Sequence, residues 1–288
     1  METIVFEKDE KRKEISLETL KQTASLVDPY VGKMPAHRPL EHWQLIETIA
    51  EKVDKKGYKF KPDPIFIGNG KEELKRIIQL DPENMGLVNA IVINRILTRL
   101  NFSGEDFGRK EYNTSIAIGY HERGIQMAFG TNIKVCANMC IFANRILYTY
   151  GSEKMPFEKM MQLVDEYIDN LPTIAKDDFR ILETFKEFPV NDWNVIETVG
   201  EMQLMAVQSA YLKGESPFNI GQVSSFSQGV LKNSPKLLDL GGEDRIMSLY
   251  DFYNMGTEIL HPKRAEMTTV WPSVAHWGDY LTKRFNVN

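Results

Sequence analysis

Tyr112-Asn113-Thr114-Ser115-Ile116-Ala117-Ile118-Gly119-Tyr120-His121-Glu122-Arg123-Gly124-Ile125-Gln126-Met127-Ala128-Phe129 is the stretch on which the fold turns. Thr114, Ile116, Ile118 and Tyr120 recur at every second position, and Ile125, Met127 and Phe129 do the same after the break. A period of two is the signature of a strand with one buried face. Between the runs, Tyr120 to Gly124 reads as a hairpin tip, because glycine at 124 accepts the positive φ that a tight reversal requires.

Moving upstream, Ala90-Ile91-Val92-Ile93 and then Ile96 to Phe102, with Arg99 and Asn101 in alternation, predict further strand before the turn Ser103-Gly104-Glu105-Asp106. Downstream, Ile133-Lys134-Val135 predicts another short strand. The chain is then expected to enter a helix near Cys136-Ala137-Asn138-Met139-Cys140 that continues toward Leu147. Before the centre, Ile15 to Lys21 predicts a short amphipathic helix. Leu40 to Val53 predicts a longer one, with Leu40, Trp43, Leu45, Ile46 and Ile49 on one face. Lys61-Pro62-Asp63-Pro64 forbids helix ahead of a short strand Ile65-Phe66-Ile67, and Glu72 to Leu80 again looks helical.

Beyond residue 150 the periodicity is helical. Phe157–Ile168, Asp178–Phe188, Trp193–Tyr211, Gln222–Leu231, Ile246–Ile259 and Val274–Phe285 are the expected helices, with Ile196, Val199, Met202, Met205 and Ala206 forming the strongest apolar row. The fold class is therefore α+β, a β-hairpin-centred antiparallel sheet in the first half and a mostly helical second half. Residues 1–150 are expected to form the sheet domain and residues 151–288 a helical region packed on it.

With 288 residues, 42% hydrophobic and 26% charged, the chain has enough apolar surface to fold without disulfides or metals. The opening residues lack the apolar core of a signal peptide, and no run reaches the ~18 apolar residues of a membrane span. The expectation is a soluble protein of the cytoplasm. Its only cysteines, Cys136 and Cys140, agree with a reducing compartment.

No complete catalytic motif occurs, and the chain reads as non-enzymatic. Gly68-Asn69-Gly70-Lys71 resembles a phosphate loop but lacks the spacing and the Ser or Thr after lysine, so it reads as a helix-entry turn. Cys136 and Cys140 with His121 or Glu122 do not have the spacing of a zinc site. Asp165, Glu166, Asp169, Asp177 and Asp178 read as solvated helix faces rather than magnesium ligands, and His261-Pro262-Lys263-Arg264 as a helix-end cap. Neither a cofactor nor a metal is expected.

Charge is distributed more informatively than its total of −5. Between Leu87 and Tyr150 seven basic residues stand against four acidic ones, so the β-rich centre is net positive inside an acidic chain. Aromatics are interleaved with these cations, the combination a single-strand binding platform uses. On this reading Arg99, Arg123, Lys134 and Arg145 contact phosphate while Tyr112 or Tyr120 stacks on bases. A sheet with one core face also buries aromatics for ordinary reasons.

Several segments resemble the uncharacterised protein families carried by bacteriophages, prophages and plasmids. They are Ile15 to Lys21, Gly124 to Phe129 leading into Val135-Cys136-Ala137-Asn138-Met139-Cys140, and Ser248-Leu249-Tyr250-Asp251-Phe252-Tyr253-Asn254-Met255-Gly256-Thr257-Glu258. The resemblance implies a mobile-element origin and a bacterial cytoplasm, not an activity. Two classes of function follow: an accessory protein that binds or anneals single-stranded nucleic acid, oligomeric like many such factors, or an interaction protein that binds and inhibits a host defence protein.

Overall fold

A computed structural model of the chain describes residues 13–21, 36–68, 95–121, 124–133, 141–150, 154–212, 220–233, 246–260 and 267–287. The described strands of the first half form one antiparallel sheet. These are β1 (Lys13–Ile15), β2 (Phe60–Pro62), β3 (Ile65–Gly68), β4 (Arg95–Phe102), β5 (Tyr112–His121), β6 (Gly124–Ile133) and β7 (Ile141–Tyr148). The strand order is β1-β3-β4-β5-β6-β7, and β2 pairs with β4 beyond the end of β3.

The β5–β6 hairpin is the centre, as the alternation predicts. Its register runs from Tyr112 opposite Ile133 to His121 opposite Gly124, so the reversal is tighter than the expected five-residue tip, with only 122 and 123 between the strands. Gly124 has φ +151°, and a Cβ there would lie 2.5 Å from the Thr149 hydroxyl, so both backbone and space require glycine. Every residue of β6 is buried, which marks a central strand covered on both faces.

Downstream of the hairpin the expectation fails. Residues 141–148 form strand β7, antiparallel to β6, and not the helix read from Cys136 to Leu147. Ile141, Phe142, Ile146, Leu147 and Tyr148 are β-branched or bulky apolar residues that suit a pleated surface, and without β7 the long strand β6 would present an unpaired edge. The ladder shifts register around Gly130, where a Cβ would lie 2.1 Å from the Phe142 carbonyl oxygen, so the two backbones approach too closely for any other residue. Ile133 closes β6 rather than opening a separate strand. The expected strand over Ala90–Ile93 and helix over Glu72–Leu80 lie outside the described residues.

The helices are α1 (Leu17–Lys21), α2 (His42–Lys55), α3 (Phe157–Asp169), α4 (Leu171–Glu187), α5 (Asp192–Leu212), α6 (Ile220–Asn233), α7 (Leu249–Leu260) and α8 (Met267–Arg284), with a two-stranded ribbon of β8 (Pro189–Val190) and β9 (Met247–Ser248) at the entries to α5 and α7. Helix α4 begins before the predicted Asp178, because Pro172 fits its first turn and Leu171, Ile174 and Ala175 are already buried. An α+β chain with an antiparallel sheet followed by helices is thus what the sequence folds into.

One face of the sheet carries Ile96, Leu100, Ile116, Ile118, Met127 and Phe129, and they join a single buried cluster with Leu45 and Ile49 of α2, Val164 of α3 and Phe179 and Leu182 of α4. That cluster continues through Phe142, Phe185 and Tyr253, whose rings meet edge to face, to Trp277 of α8, packed by Phe226 and Phe252. The indole donates to the Tyr253 carbonyl at 3.0 Å. The opposite face is built from smaller residues, Leu97, Ala117, Ala128, Ile141 and Ala143.

Candidate functional site

The residues expected to bind single strands do not converge. Period two separates them first: Tyr112, Tyr120 and Arg145 project from the α2–α4 side of the sheet, and Arg99 from the other. Tyr112 is 1% exposed and Tyr120 is not exposed at all. The Tyr112 hydroxyl donates to Glu183 and its ring lies against Phe179, while Tyr120 donates to the Leu40 carbonyl at 2.9 Å and meets His42 edge to face. Burial raises both phenol pKa values, so both stay neutral donors. A ring buried on both sides has no face for a base to stack on, so these tyrosines are core residues. Arg123 and Lys134 lie outside the described residues.

Arg99 is the hub of a polar network on the small-residue face. Its Nε donates to Asp63 Oδ2 at 2.7 Å, its Nη2 lies 2.6 Å from the same oxygen, and its Nη1 donates to Asn132 Oδ1 at 2.7 Å. Asn101 donates to Asp63 Oδ1 at 2.7 Å and accepts from Ser115 at 2.7 Å, and Asn132 donates to Asn113 Oδ1 at 3.3 Å. The Pro62-Asp63-Pro64 segment that interrupts helix is what brings Asp63 here, because Asp63 N–H donates to the Arg99 carbonyl at 2.8 Å. Each named group finds a partner inside the network, so the guanidinium is committed to internal bonds rather than to a phosphate.

Arg145 has a different carboxylate partner. Its Nη1 lies 3.4 Å from Asp178 Oδ1, and the Thr131 hydroxyl donates to Asp178 Oδ2 at 3.3 Å. Asp178 is fully buried, and its pKa is pushed up to about 7 by burial, against the lowering effects of Arg145 and Thr131. These two long contacts do not offset desolvation of the carboxylate. Asp178 was expected on a solvated helix face and is instead part of the core.

The other acidic residues behave as surface charges: Asp165 pairs with Lys52 at 2.6 Å and Asp169 with Lys56 at 2.5 Å, tying α3 to α2. Among the described residues no group of three or more His, Cys, Asp or Glu side chains comes together as metal ligands do. Cys136, Cys140, Lys71 and the His261–Arg264 knot lie outside the described residues.

The feature that breaks the ordinary burial rule is on α5. The helix starts at a reciprocal cap in which Asn194 N–H donates to Asn191 Oδ1 at 2.9 Å and Asn191 N–H to Asn194 Oδ1 at 3.1 Å. Its inner face buries Val195, Thr198, Met202 and Ala206. On the opposite face Trp193 (57% exposed), Ile196 (40%), Leu204 (57%) and Val207 (47%) form a second apolar row, in line with Gly200. At 100° per residue these five positions fall within about 80° of arc, a continuous stripe rather than scattered exposure. Ile246, 70% exposed, stands beside β9, which pairs with β8 at the entry to α5 and so flanks the Trp193 end.

The periodicity places Ile196 in the buried row of this helix, whereas the structure turns it outward into the second row. The signal was present: apolar residues at 193, 196, 204 and 207 keep helical spacing but fall out of phase with 195, 202 and 206. A helix apolar on two faces is either wholly buried or has a face awaiting a partner.

No family model matches the chain, and no curated protein and no solved structure gives a significant match to it.

Proposed function

We propose that this protein is a non-catalytic interaction protein that docks another protein on the outer face of α5. The observation that carries the reading is the stripe of Trp193, Ile196, Leu204 and Val207, large apolar side chains held in solvent on a well-anchored helix. The formal charge of −5 and the resemblance to mobile-element families, whose products act inside a bacterial cell, agree with a protein partner. A single-strand platform is the weaker reading. Arg99 and Arg145 are engaged with Asp63 and Asp178, and both candidate stacking rings are in the core.

The test is affinity capture from a bacterial lysate after nuclease treatment, using wild type and Leu204→Glu. The expected result is a stoichiometric protein, which includes a second copy of this chain, retained by the wild type and lost by the variant. Equal retention by both overturns the assignment of the surface. Fluorescence anisotropy with labelled oligonucleotides at low and moderate salt provides the second arm. Micromolar, salt-sensitive binding that survives Leu204→Glu would return the function to nucleic acid.

A further inference from the structure

We infer that the occupant of the α5 face is a second copy of this chain, with the two α5 helices antiparallel across a two-fold axis that passes beside Gly200. The inference rests on the reading of this face as a docking surface and names what docks there.

Trp193 and Val207 lie seven residues either side of Gly200, and Ile196 and Leu204 lie four residues either side. The stripe is a palindrome about the glycine. A two-fold interface brings each residue against the one at its mirrored position, so a palindromic stripe is complementary to itself. Trp193 then faces Val207 of the partner subunit, large against small, and Ile196 faces Leu204 of the partner subunit. Gly200 faces its own copy.

The glycine supplies the second argument. A Cβ at position 200 would meet nothing within 4 Å, so the packing of this chain alone does not require glycine there. Glycine in a helix interior costs about 1 kcal/mol relative to alanine. A partner helix crossing at that point gives the missing side chain a purpose, because the backbones can approach closely there.

Side-chain size selects the antiparallel arrangement, because a parallel pair would set Trp193 and Val207 each against its own copy rather than large against small. The acids Glu197 and Glu201 share one flank of the stripe, and in an antiparallel pair that flank meets its own copy. Arg284 offsets part of that negative charge, at 3.2 Å from both Glu197 and Glu201. A helix of 21 residues is about 30 Å long and offers less than the roughly 800 Å² per partner of a standard interface, so the dimer is expected to be reversible, with a micromolar Kd.

Sedimentation equilibrium between about 1 and 100 μM, concentrations that bracket a micromolar Kd, tests the association. The expected result is a mass rising from 33.2 kDa toward twice that value for the wild type and remaining at the monomer for Leu204→Glu, with far-UV circular dichroism unchanged. Cysteine cross-linking tests the geometry, with linked peptides mapped so that Cys136 and Cys140 are left in place. Gly200→Cys should link to itself, and a mixture of Trp193→Cys with Val207→Cys should link while neither does alone. Self-linking at 193 and at 207 would overturn the antiparallel axis. A monomeric wild type at the highest concentration would overturn self-association. If Leu204→Glu still loses a captured foreign protein in that case, the docking reading of α5 stands without this inference. If neither mass nor capture responds to the variant, both fall.

Discussion

Arg99 and Arg145 sit on carboxylates within the central sheet, and Tyr112 and Tyr120 lie inside its core, whereas on α5 Trp193, Ile196, Leu204 and Val207 stand in solvent. Residue types that usually mark a binding surface are thus turned inward on the sheet, and residue types that usually fill a core are turned outward on the helix. Polar groups buried with satisfied partners hold a fold together. Large apolar groups left in water lower the free energy of the chain only when something covers them. The contrast gives the first region a structural use and is the ground on which docking is proposed for the second.

Asp178 gives the largest expected effect and tests whether the sheet's ionisable groups are structural. Its folded pKa, about 7, lies above the ordinary aspartate value of 3.8, so between those values the folded state holds a proton that the unfolded chain has released. Stability is therefore fully present below about pH 3.8 and is lost as pH rises through about 7. At about 1.4 kcal/mol per pH unit, the loss attributable to this group is roughly 4 kcal/mol. Asp178→Asn should remove that slope, read as the difference between variant and wild type in urea unfolding at pH 4.5 and 7.5. Arg145, Thr131 and Asp177 are the groups acting on this carboxyl, and they remain in the variant. Parallel slopes in the two proteins would mean that Asp178 is hydrated rather than buried.

Gly130→Ala comes next. The added Cβ would lie 2.1 Å from the Phe142 carbonyl oxygen and 2.9 Å from the Ala143 backbone, and backbone cannot move aside as a flexible side chain does. A loss of about 3 kcal/mol is expected by chemical denaturation, the upper range for overpacking. Asp63→Ala should cost less, about 2 kcal/mol, because it strips Arg99 and Asn101 of their acceptor at a site that is only partly shielded from water. A neutral Asp63→Ala would reopen the network as a place where Arg99 is free to meet a ligand.

The hairpin was legible because both of its strands alternate without a break and Gly124 marks their junction; nothing distant was needed to read it. Strand β7 was not legible, since Ile141 to Tyr148 suits helix or strand locally and only the unpaired edge of β6 selects strand. Asp178 shows the same limit for the site. Among acidic neighbours it reads as exposed, and only its place under β6, beside Thr131 and Arg145, shows that it is buried. Tyr112 and Tyr120 lie on a strand as expected, but alternation alone does not say which face is covered, and residues 112–120 of β5 are buried on both. The α5 stripe lay in the sequence as a second helical phase, hidden by the stronger first one.

The smallest expected effect is the one that separates the two faces of α5. Met202 on the inner face is wholly buried and Leu204, two residues on, is 57% exposed. Met202→Ala should cost about 3 kcal/mol through lost burial and the cavity it leaves. Leu204→Gln keeps a good helix former and removes no packed contact from the core, so it should change unfolding free energy by no more than about 0.5 kcal/mol. If thermal or urea unfolding of dilute protein showed the two substitutions costing the same, Leu204 would be a covered core residue, and α5 would lose its outward face along with the reading built on it. With Leu204→Gln neutral in dilute solution and destabilising only as protein concentration rises, the same side chain would report its cover as intermolecular, because a contact made between copies stabilises by mass action and one made within the chain does not.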